Sequence, residues 1–287
     1  LASRLESQGV IRLSLGTALD RRHAEGRSLE PGKLTILGSS PAWTNPGGAG
    51  SGYLLRYDST AVQIEAGSGT FGRLREVMPV DQLDAVIISH VHGDHFLDLI
   101  PLCYGLRYGK LRDGTPLPVY VPPGCIHFLS DFARVLNGEP DFFSGTFELC
   151  EYPTNKSFSI GSITFIANRV QHYIASHALR CELGDGFVFS GDSAPCDELV
   201  SAAKGAGTLL CEAALTNVAD DAPNPTERGH LTPGEAGQVA HRAGVRRLIL
   251  THFRTDVQDY DTVTEQARAH FSGQVVVARE KRTYTIP

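Results

Sequence analysis

Ser89-His90-Val91-His92-Gly93-Asp94-His95 is the stretch on which the reading of this chain turns. It follows directly on Leu83-Asp84-Ala85-Val86-Ile87-Ile88, which is almost continuously apolar, ends in β-branched residues and reads as a buried strand. Such a strand stops at the rim of a core, so the loop behind it faces solvent or a cleft. Imidazole and carboxylate in one loop suit zinc, iron or manganese. The spacing sorts the residues into two sets. His90 and His92, at i and i+2 on extended backbone, can face one way and share an ion. Asp94 and His95 come after Gly93, which is expected to turn the chain sharply and offer them to a second ion. A single histidine at a strand end is usually a hydrogen-bonded surface residue, but the full H-x-H-x-D-H string is too specific for that reading.

The 287 residues are within reach of one large α/β domain, and 41% hydrophobic with 20% charged residues is the balance of a globular protein. Lys plus Arg is 26 and Asp plus Glu is 32, a formal charge of −6. That acidic balance disfavours a large nucleic acid such as tRNA, which needs a basic footprint. The six cysteines (Cys103, Cys125, Cys150, Cys181, Cys196, Cys211) are scattered, without a C-x-x-C pair and often inside apolar runs, so reduced core residues are expected. No apolar run has membrane-spanning length, and Leu1-Ala2-Ser3-Arg4-Leu5-Glu6 lacks the layout of a signal peptide. The expectation is a cytoplasmic protein acting on a small molecule, away from membranes. A homodimer is compatible with the sequence, which does not determine the oligomeric state.

Residues 1–33 are polar and mixed in charge; a docking arm or a partner contact would suit them, and they receive no function. From residue 34 a single domain is expected. Leu34–Gly38 is a strand, 53–57 and 61–65 a hairpin turning at Asp58-Ser59, and Phe71–Val77 a helix. Phe96–Tyr108 reads as a helix with Leu97, Ile100, Tyr104 and Tyr108 along one side. Leu117–Val121 is a strand, and Cys125–Leu136 a helix whose Phe128, Phe132 and Leu136 form a stripe expected in the core. Phe142-Phe143-Ser144-Gly145 could line a pocket. Strands are expected at 147–152, 162–170, 177–183, 187–190, 208–211, 247–251 and 275–278. Helices are expected at 195–204, at 233–244 behind the capping box Thr232-Pro233-Gly234-Glu235, and at 263–271. Strands and helices in this order imply two sheets packed face to face with helices outside. His172, Asp192 and His252 each follow an apolar run and can converge on one rim. Gly-Asp-Ser around Asp192 is also turn-like.

The H-x-H-x-D-H string, followed in order by Val170-Gln171-His172, Ser190-Gly191-Asp192-Ser193 and Leu250-Thr251-His252, resembles the metallo-β-lactamase superfamily from about Leu34 to the C-terminus. The resemblance implies an α/β fold, the αββα sandwich of two mixed sheets. It implies that His90, His92 and His172 hold one metal, that Asp94, His95 and His252 hold the second, and that Asp192 bridges them. The cofactor implied is a pair of divalent ions, Zn2+ first, with Mn2+ or Fe2+ as alternatives. Coordination left open would admit a water whose pKa such a pair lowers, and Asp94 counts with the catalytic residues as well as the ligands. Members of the superfamily usually carry Asp where Glu65 stands, a departure that affects a supporting hydrogen bond and removes no ligand.

Leu209-Leu210-Cys211-Glu212-Ala213 and Arg228-Gly229-His230-Leu231-Thr232 resemble the glutamate and histidine motifs of the ribonuclease Z branch, with Cys211 in place of the usual His. By that resemblance Glu212 and His230 form a pair that delivers a proton to the leaving oxygen. Phosphodiester cleavage expels a poor alkoxide, which a positioned His donor helps to depart. His230 also stands just ahead of a helix N-terminus, whose amides favour a phosphate oxygen.

The expected function is therefore a dinuclear phosphodiesterase acting on a small phosphodiester such as a cyclic nucleotide. A tRNA 3′-end endoribonuclease fits less well, because no Lys-rich, Gly/Pro-rich arm is present and the longest candidate insertion, 138–144, is short and acidic. A thioesterase or lactonase could share the metal centre but would leave Glu212 and His230 largely unnecessary. Oxygen-reducing diiron members carry Glu where His92 stands, which disfavours that chemistry, and an intact ligand set argues against a purely binding role. His177 could line the cleft or pack on its strand, and Trp43 could be a surface residue or a pocket wall. His23, His127, His241 and His270 read as surface residues.

Overall fold

The computed structural model describes residues 30–139, 141–222 and 224–287, so residues 1–29, including His23, lie outside the described residues. Two seven-stranded sheets carry the fold. The first is built from β1 (Gly32–Gly38), β2 (Gly52–Tyr57), β3 (Thr60–Ile64), β4 (Ala85–Ile87), β5 (Leu117–Val121) and β6 (Phe147–Glu151). The second takes β7 (Ser157–Ile160), β8 (Ile163–Val170), β9 (Ser176–Glu182), β10 (Phe187–Phe189), β11 (Thr208–Glu212), β12 (Arg247–Thr251) and β13 (Gln274–Val277). The last strand, β14 (Thr283–Ile286), returns to the first sheet and closes its edge against β1. Both sheets are mixed: β3 to β6 and β10 to β13 run parallel, while β1–β2–β3 and β7–β8–β9–β10 are antiparallel.

Alternation along the strands explains the layers. Side chains of a strand point to opposite faces with period two. In β2, Tyr53 and Leu55 enter the core between the sheets while Leu54 enters the core on the outer face. In β12, Ile249 faces the inter-sheet core and Leu248 and Leu250 face outward. An apolar residue on each side means each sheet is covered on both faces, so near-continuous apolar runs are the expected sequence signal. The covering helices are α1 (Thr70–Val77), α2 (Gly93–Phe96), α3 (Leu99–Arg107) and α4 (Cys125–Asn137) on one side. On the other are α5 (Asp197–Ala203), α6 (Pro233–Ala243) and α7 (Tyr260–Arg268). The result is the αββα sandwich.

Several local expectations need correction. The first strand starts at Gly32, because Gly32 and Lys33 already pair with Ile286 and Thr285. Within the stretch 96–108 Phe96 ends α2 and the helix is α3, from Leu99 to Arg107; the side marked by Leu97, Tyr104 and Tyr108 faces outward while Leu99, Leu102 and Cys103 are buried. Phe128 and Leu136 on α4 are likewise exposed, and Cys125, Leu129 and Ala133 form its buried stripe. Both i, i+4 sets were apolar, so periodicity alone did not say which faced the sheet. Of the stretch 142–145, Ser144 and Gly145 border a cleft with Arg107 and Thr146, while Phe142 and Phe143 are buried in the outer core, Phe142 beneath the Arg107 guanidinium. Helix α5 starts at Asp197, after Pro195, and α7 starts at Tyr260 because Asp259 caps it through the Thr262 amide. Strands β7 and β14, short and half polar, carried too little apolar pattern to be expected.

Candidate metal centre

Six of the candidate residues stand at or just past the carboxyl end of a strand. Glu65 follows β3, His90 follows β4, His172 follows β8, Asp192 follows β10 and His252 follows β12, while Glu212 is the last residue of β11. Strands β8 and β10 both run opposite to β9, so they end at the same edge of their sheet. Open α/β sheets bind ligands outside the carboxyl ends of their strands for this reason.

The loop after β4 folds as its composition requires, with one difference. His92 is extended, at φ −76° and ψ 147°, which allows His90 and His92 to face one way. Gly93 opens the one-turn helix α2 without a positive φ, so the turn itself does not depend on glycine there. The glycine the loop does require is Gly67. A Cβ at Gly67 would lie 2.0 Å from the Asp94 carbonyl oxygen and 2.7 Å from the Ser51 amide nitrogen. This close approach lets the loop pack down on the end of β3.

The side chains then converge. His92 Nδ1 lies 3.2 Å from His90 Nε2 and 3.0 Å from His172 Nε2. Asp192 Oδ2 lies 3.2 Å from His95 Nε2, 3.2 Å from His252 Nε2 and 3.7 Å from His90 Nε2. Asp94 Oδ2 lies 3.1 Å from His95 Nε2 and 3.8 Å from His252 Nε2. The structure thus brings together all seven expected ligands in two sets, His90/His92/His172 and Asp94/His95/Asp192/His252, with Asp192 also close to the first set. The donor atoms within each set lie within 4.8 Å of one another.

These atoms suit a cation better than each other. Both ring nitrogens of His95, Nε2 of His252 and Oδ1 of Asp192 are buried without a hydrogen-bond partner. Unpartnered buried polar atoms are costly and rare, and Nε2 of His95 and of His252 both face the Asp192 carboxylate, as donors to a shared cation would. Partners on the far side of His172, His90 and His252 orient these rings, and a carbonyl partner also fixes the tautomer of His172. His172 Nδ1 donates to the Gly229 carbonyl at 2.7 Å, which leaves Nε2 with its lone pair. Nδ1 of His90 and of His252 meets Ser89 Oγ at 3.0 Å and Ser51 Oγ at 2.9 Å, respectively. Glu65, the departure from the family's Asp, accepts the Ser89 amide at 2.9 Å and places Oε2 3.5 Å from His95 Nδ1. The longer side chain thus still reaches the histidine its shorter counterpart would support.

Electrostatics without a cation show the same demand. Burial disfavours charge on His95, yet Asp192, Asp94 and Glu65 outweigh it and raise its pKa well above that of free imidazole. Burial, with His95 behind it, holds His90 well below the imidazole value. Burial pushes Asp94 toward the neutral acid, but His95 and His252 bring its pKa down to about 2. A bound cation replaces those protons as the countercharge. Glu65 and His252 also adopt left-handed backbone conformations, with φ of 60° and 58°, that non-glycine residues rarely hold. His252 is held there by its amide donating to the Ser39 carbonyl at 2.9 Å, and Glu65 by its amide donating to Ile87 at 2.9 Å.

Beside the cluster stand Glu212 and His230. Glu212 is fully buried; its Oε1 accepts from Ser193 N at 2.8 Å and His230 Nδ1 at 2.9 Å, and its Oε2 from Ala214 N at 3.0 Å. His230 is inserted between the two ligand sets, its ring 4.9 Å from His172 and 6.0 Å from His252. Burial opposes a charge on His230, but Glu212, with Asp192 and Asp221 behind it, raises its pKa to about 9. The helix N-terminus expected to offer amides to a phosphate is largely used. Pro233 has no N–H, and Thr232 and Glu235 close a reciprocal capping box over the Glu235 amide.

A family model described as Beta-lactamase superfamily domain matches residues 60–253. The chain belongs to the metallo-β-lactamase superfamily. It is 33% identical to an uncharacterized protein of Mycobacterium leprae, over 88% of each chain. It is 26% identical to the probable metallo-hydrolase YhfI of Bacillus subtilis, over 86% of this chain and 97% of YhfI. The crystal structure of YhfI matches with a TM-score of 0.78, covering 89% of this chain and all of that one. A ribonuclease Z of Thermobifida fusca is 28% identical over 89% of this chain and 95% of that enzyme. Membership places the chain among metallo-hydrolases.

Within this metallo-β-lactamase fold, His177 turns out to pack rather than line the cleft: it is 2% exposed, and Nε2 pairs with Thr154 Oγ1 at 3.1 Å. Trp43 is half exposed with the Arg254 guanidinium 4.9 Å above its ring, beside a shallow cleft bordered by Ala42, Thr44 and Asp94. His127, His241 and His270 are exposed. Asp221 and Tyr173, both close to His230, were missed. Neither carries a pattern of its own, and only the position of Tyr173 directly after His172 hinted at it.

Proposed function

We propose that this protein is a phosphodiesterase acting on a small phosphodiester such as a cyclic nucleotide, with two divalent ions, Zn2+ or a similar metal, held by His90, His92, Asp94, His95, His172, Asp192 and His252. The observation that carries the reading is the 2.9 Å contact between His230 Nδ1 and Glu212 Oε1 at the edge of the cluster. When bound, such a pair of ions supplies an activated water and a clamp on the phosphoryl oxygens. The chain supplies the rest. Glu212 is locked by backbone amides and accepts the Nδ1 proton, so the remaining proton of the imidazolium sits on Nε2. A His230 held protonated at neutral pH is a general acid for an alkoxide leaving group. Asp94 and Asp192 would offset part of the charge of the bound cations.

The resemblance to a ribonuclease Z supports phosphodiester chemistry and leaves a tRNA 3′-end nuclease as the second reading. The formal charge of −6 weighs against so large a polyanion. All six cysteines are free, which suits a reducing, cytoplasmic compartment. The test is a side-by-side screen of the metal-loaded protein on bis(p-nitrophenyl) phosphate, 2′,3′- and 3′,5′-cyclic nucleotides, a precursor tRNA, thioesters and lactones. Turnover of cyclic nucleotides supports the proposal; turnover confined to thioesters or lactones overturns it.

A further inference from the structure

Tyr173 directly follows the candidate ligand His172 and leaves 53% of its surface exposed. An exposed aromatic side chain is ordinarily free to change rotamer, but this one is held on three sides. Its hydroxyl donates to Asp221 Oδ1 at 2.6 Å. Its ring centroid lies 4.9 Å from that of His172 and 5.5 Å from that of His230. A Cβ added at Gly229 would fall 2.4–2.7 Å from three of its ring carbons, so the ring lies directly on the glycine backbone. Asp221, whose side chain is 1% exposed, also accepts the amides of Gly229 at 3.0 Å and His230 at 3.2 Å. One buried carboxylate therefore sets both the plane of the ring and the loop that carries His230. A residue serving only to tie that loop down would need its hydroxyl at Asp221 and no open aromatic surface. Here half of a rigid ring remains uncovered beside the residues proposed to meet the phosphate.

We propose that Tyr173 is a stacking platform for the base of a nucleotide substrate, held in position by Asp221 and Gly229. The proposal rests on the phosphodiesterase reading and narrows its substrate class to phosphodiesters bearing a planar base next to the scissile phosphate. Stacking acts through the π-face, so it is tolerant of base identity and lost with the ring. An immobilised ring also loses little rotamer entropy when it is covered.

The experiment compares binding of AMP and ribose 5-phosphate to the metal-loaded full chain by titration calorimetry. The wild type is expected to bind AMP on the order of 10- to 100-fold more tightly than ribose 5-phosphate, the range for one stacked base. Tyr173→Leu should collapse that ratio to near one, and Tyr173→Phe, which keeps the ring and loses the Asp221 bond, should retain most of it. A wild-type ratio near one, a ratio that survives Tyr173→Leu, or an equal collapse in Tyr173→Phe each overturns the platform. Hydrolysis of cyclic nucleotides by the wild type is read separately. Turnover without any preference for AMP overturns the platform alone. A Tyr173-dependent preference without turnover of any phosphodiester supports the platform and overturns the proposed reaction.

Discussion

Glu212→Gln isolates the charge that keeps His230 protonated. The substitution retains an oxygen to accept the Nδ1 proton but removes the countercharge that outweighs burial and lifts the pKa to about 9. With that charge gone, burial brings His230 to the ordinary imidazole value of about 6.5 or below. At pH 8 the wild-type donor is then ~90% protonated and the variant's only ~3%, a loss of about 30-fold. At pH 6 the same arithmetic leaves a loss of less than about twofold. Cations bound at Asp192 lower both pKa values, which moves the two profiles together toward acid and preserves their separation. The sign follows: a donor acts in its protonated form, so activity falls as pH rises through its pKa, and the variant falls first. The assay is kcat on an alkyl phosphodiester from pH 6 to 9, with melting temperature as a control, since Gln leaves buried amides facing its NH2 group. A variant profile that falls at the same pH as the wild type's would refute the argument and make Glu212 a structural residue.

Metal analysis of protein loaded and then dialysed should give about two ions per chain, and Asp192→Ala, which lacks the central carboxylate, should retain fewer; full retention would remove Asp192 from the site. Asp94→Ala and His252→Ala should each abolish turnover with the circular dichroism spectrum unchanged, because Asp94 lies in a single helical turn and His252 just past the end of β12; wild-type kcat in either would exclude it as a ligand. Gly67→Ala should displace the metal loop, since the new Cβ would sit 2.0 Å from the Asp94 carbonyl. Its metal affinity should drop even though no ligand has changed, and unaltered affinity would show that the loop does not depend on that contact.

Much of the site was legible because its residues sit where strands end, and strands buried on both faces announce themselves. Val86 and Ile87 point to different cores, so the run before His90 is apolar throughout. The same reasoning placed His172, Asp192 and His252 at a common edge. The pairing of Glu212 with His230 was not available from local pattern, since they lie eighteen residues apart and meet only because β11 ends beside the loop before α6; resemblance to known motifs supplied it. Two helices were turned the wrong way for a physical reason. Along α4 both Phe128–Phe132–Leu136 and Cys125–Leu129–Ala133 are apolar, and the smaller side chains are buried while Phe128 and Leu136 stay exposed and Phe132 is half-buried. Asp221 illustrates the remaining limit. An aspartate in a polar loop carries no local signal, and its role depends on tertiary contacts with Tyr173, Gly229 and His230.

The central claim is that His230 protonates the leaving oxygen of a phosphodiester, and kcat for wild type and His230→Ala on one alkyl and one aryl phosphodiester tests it most directly. Removing the donor leaves every proposed metal ligand in place, so the alkyl substrate should lose on the order of 10²–10⁴-fold, the usual range for one general acid. The aryl substrate, whose leaving group departs without a proton, should lose far less. Equal losses on both substrates would contradict the account and leave His230 as a structural or substrate-binding residue.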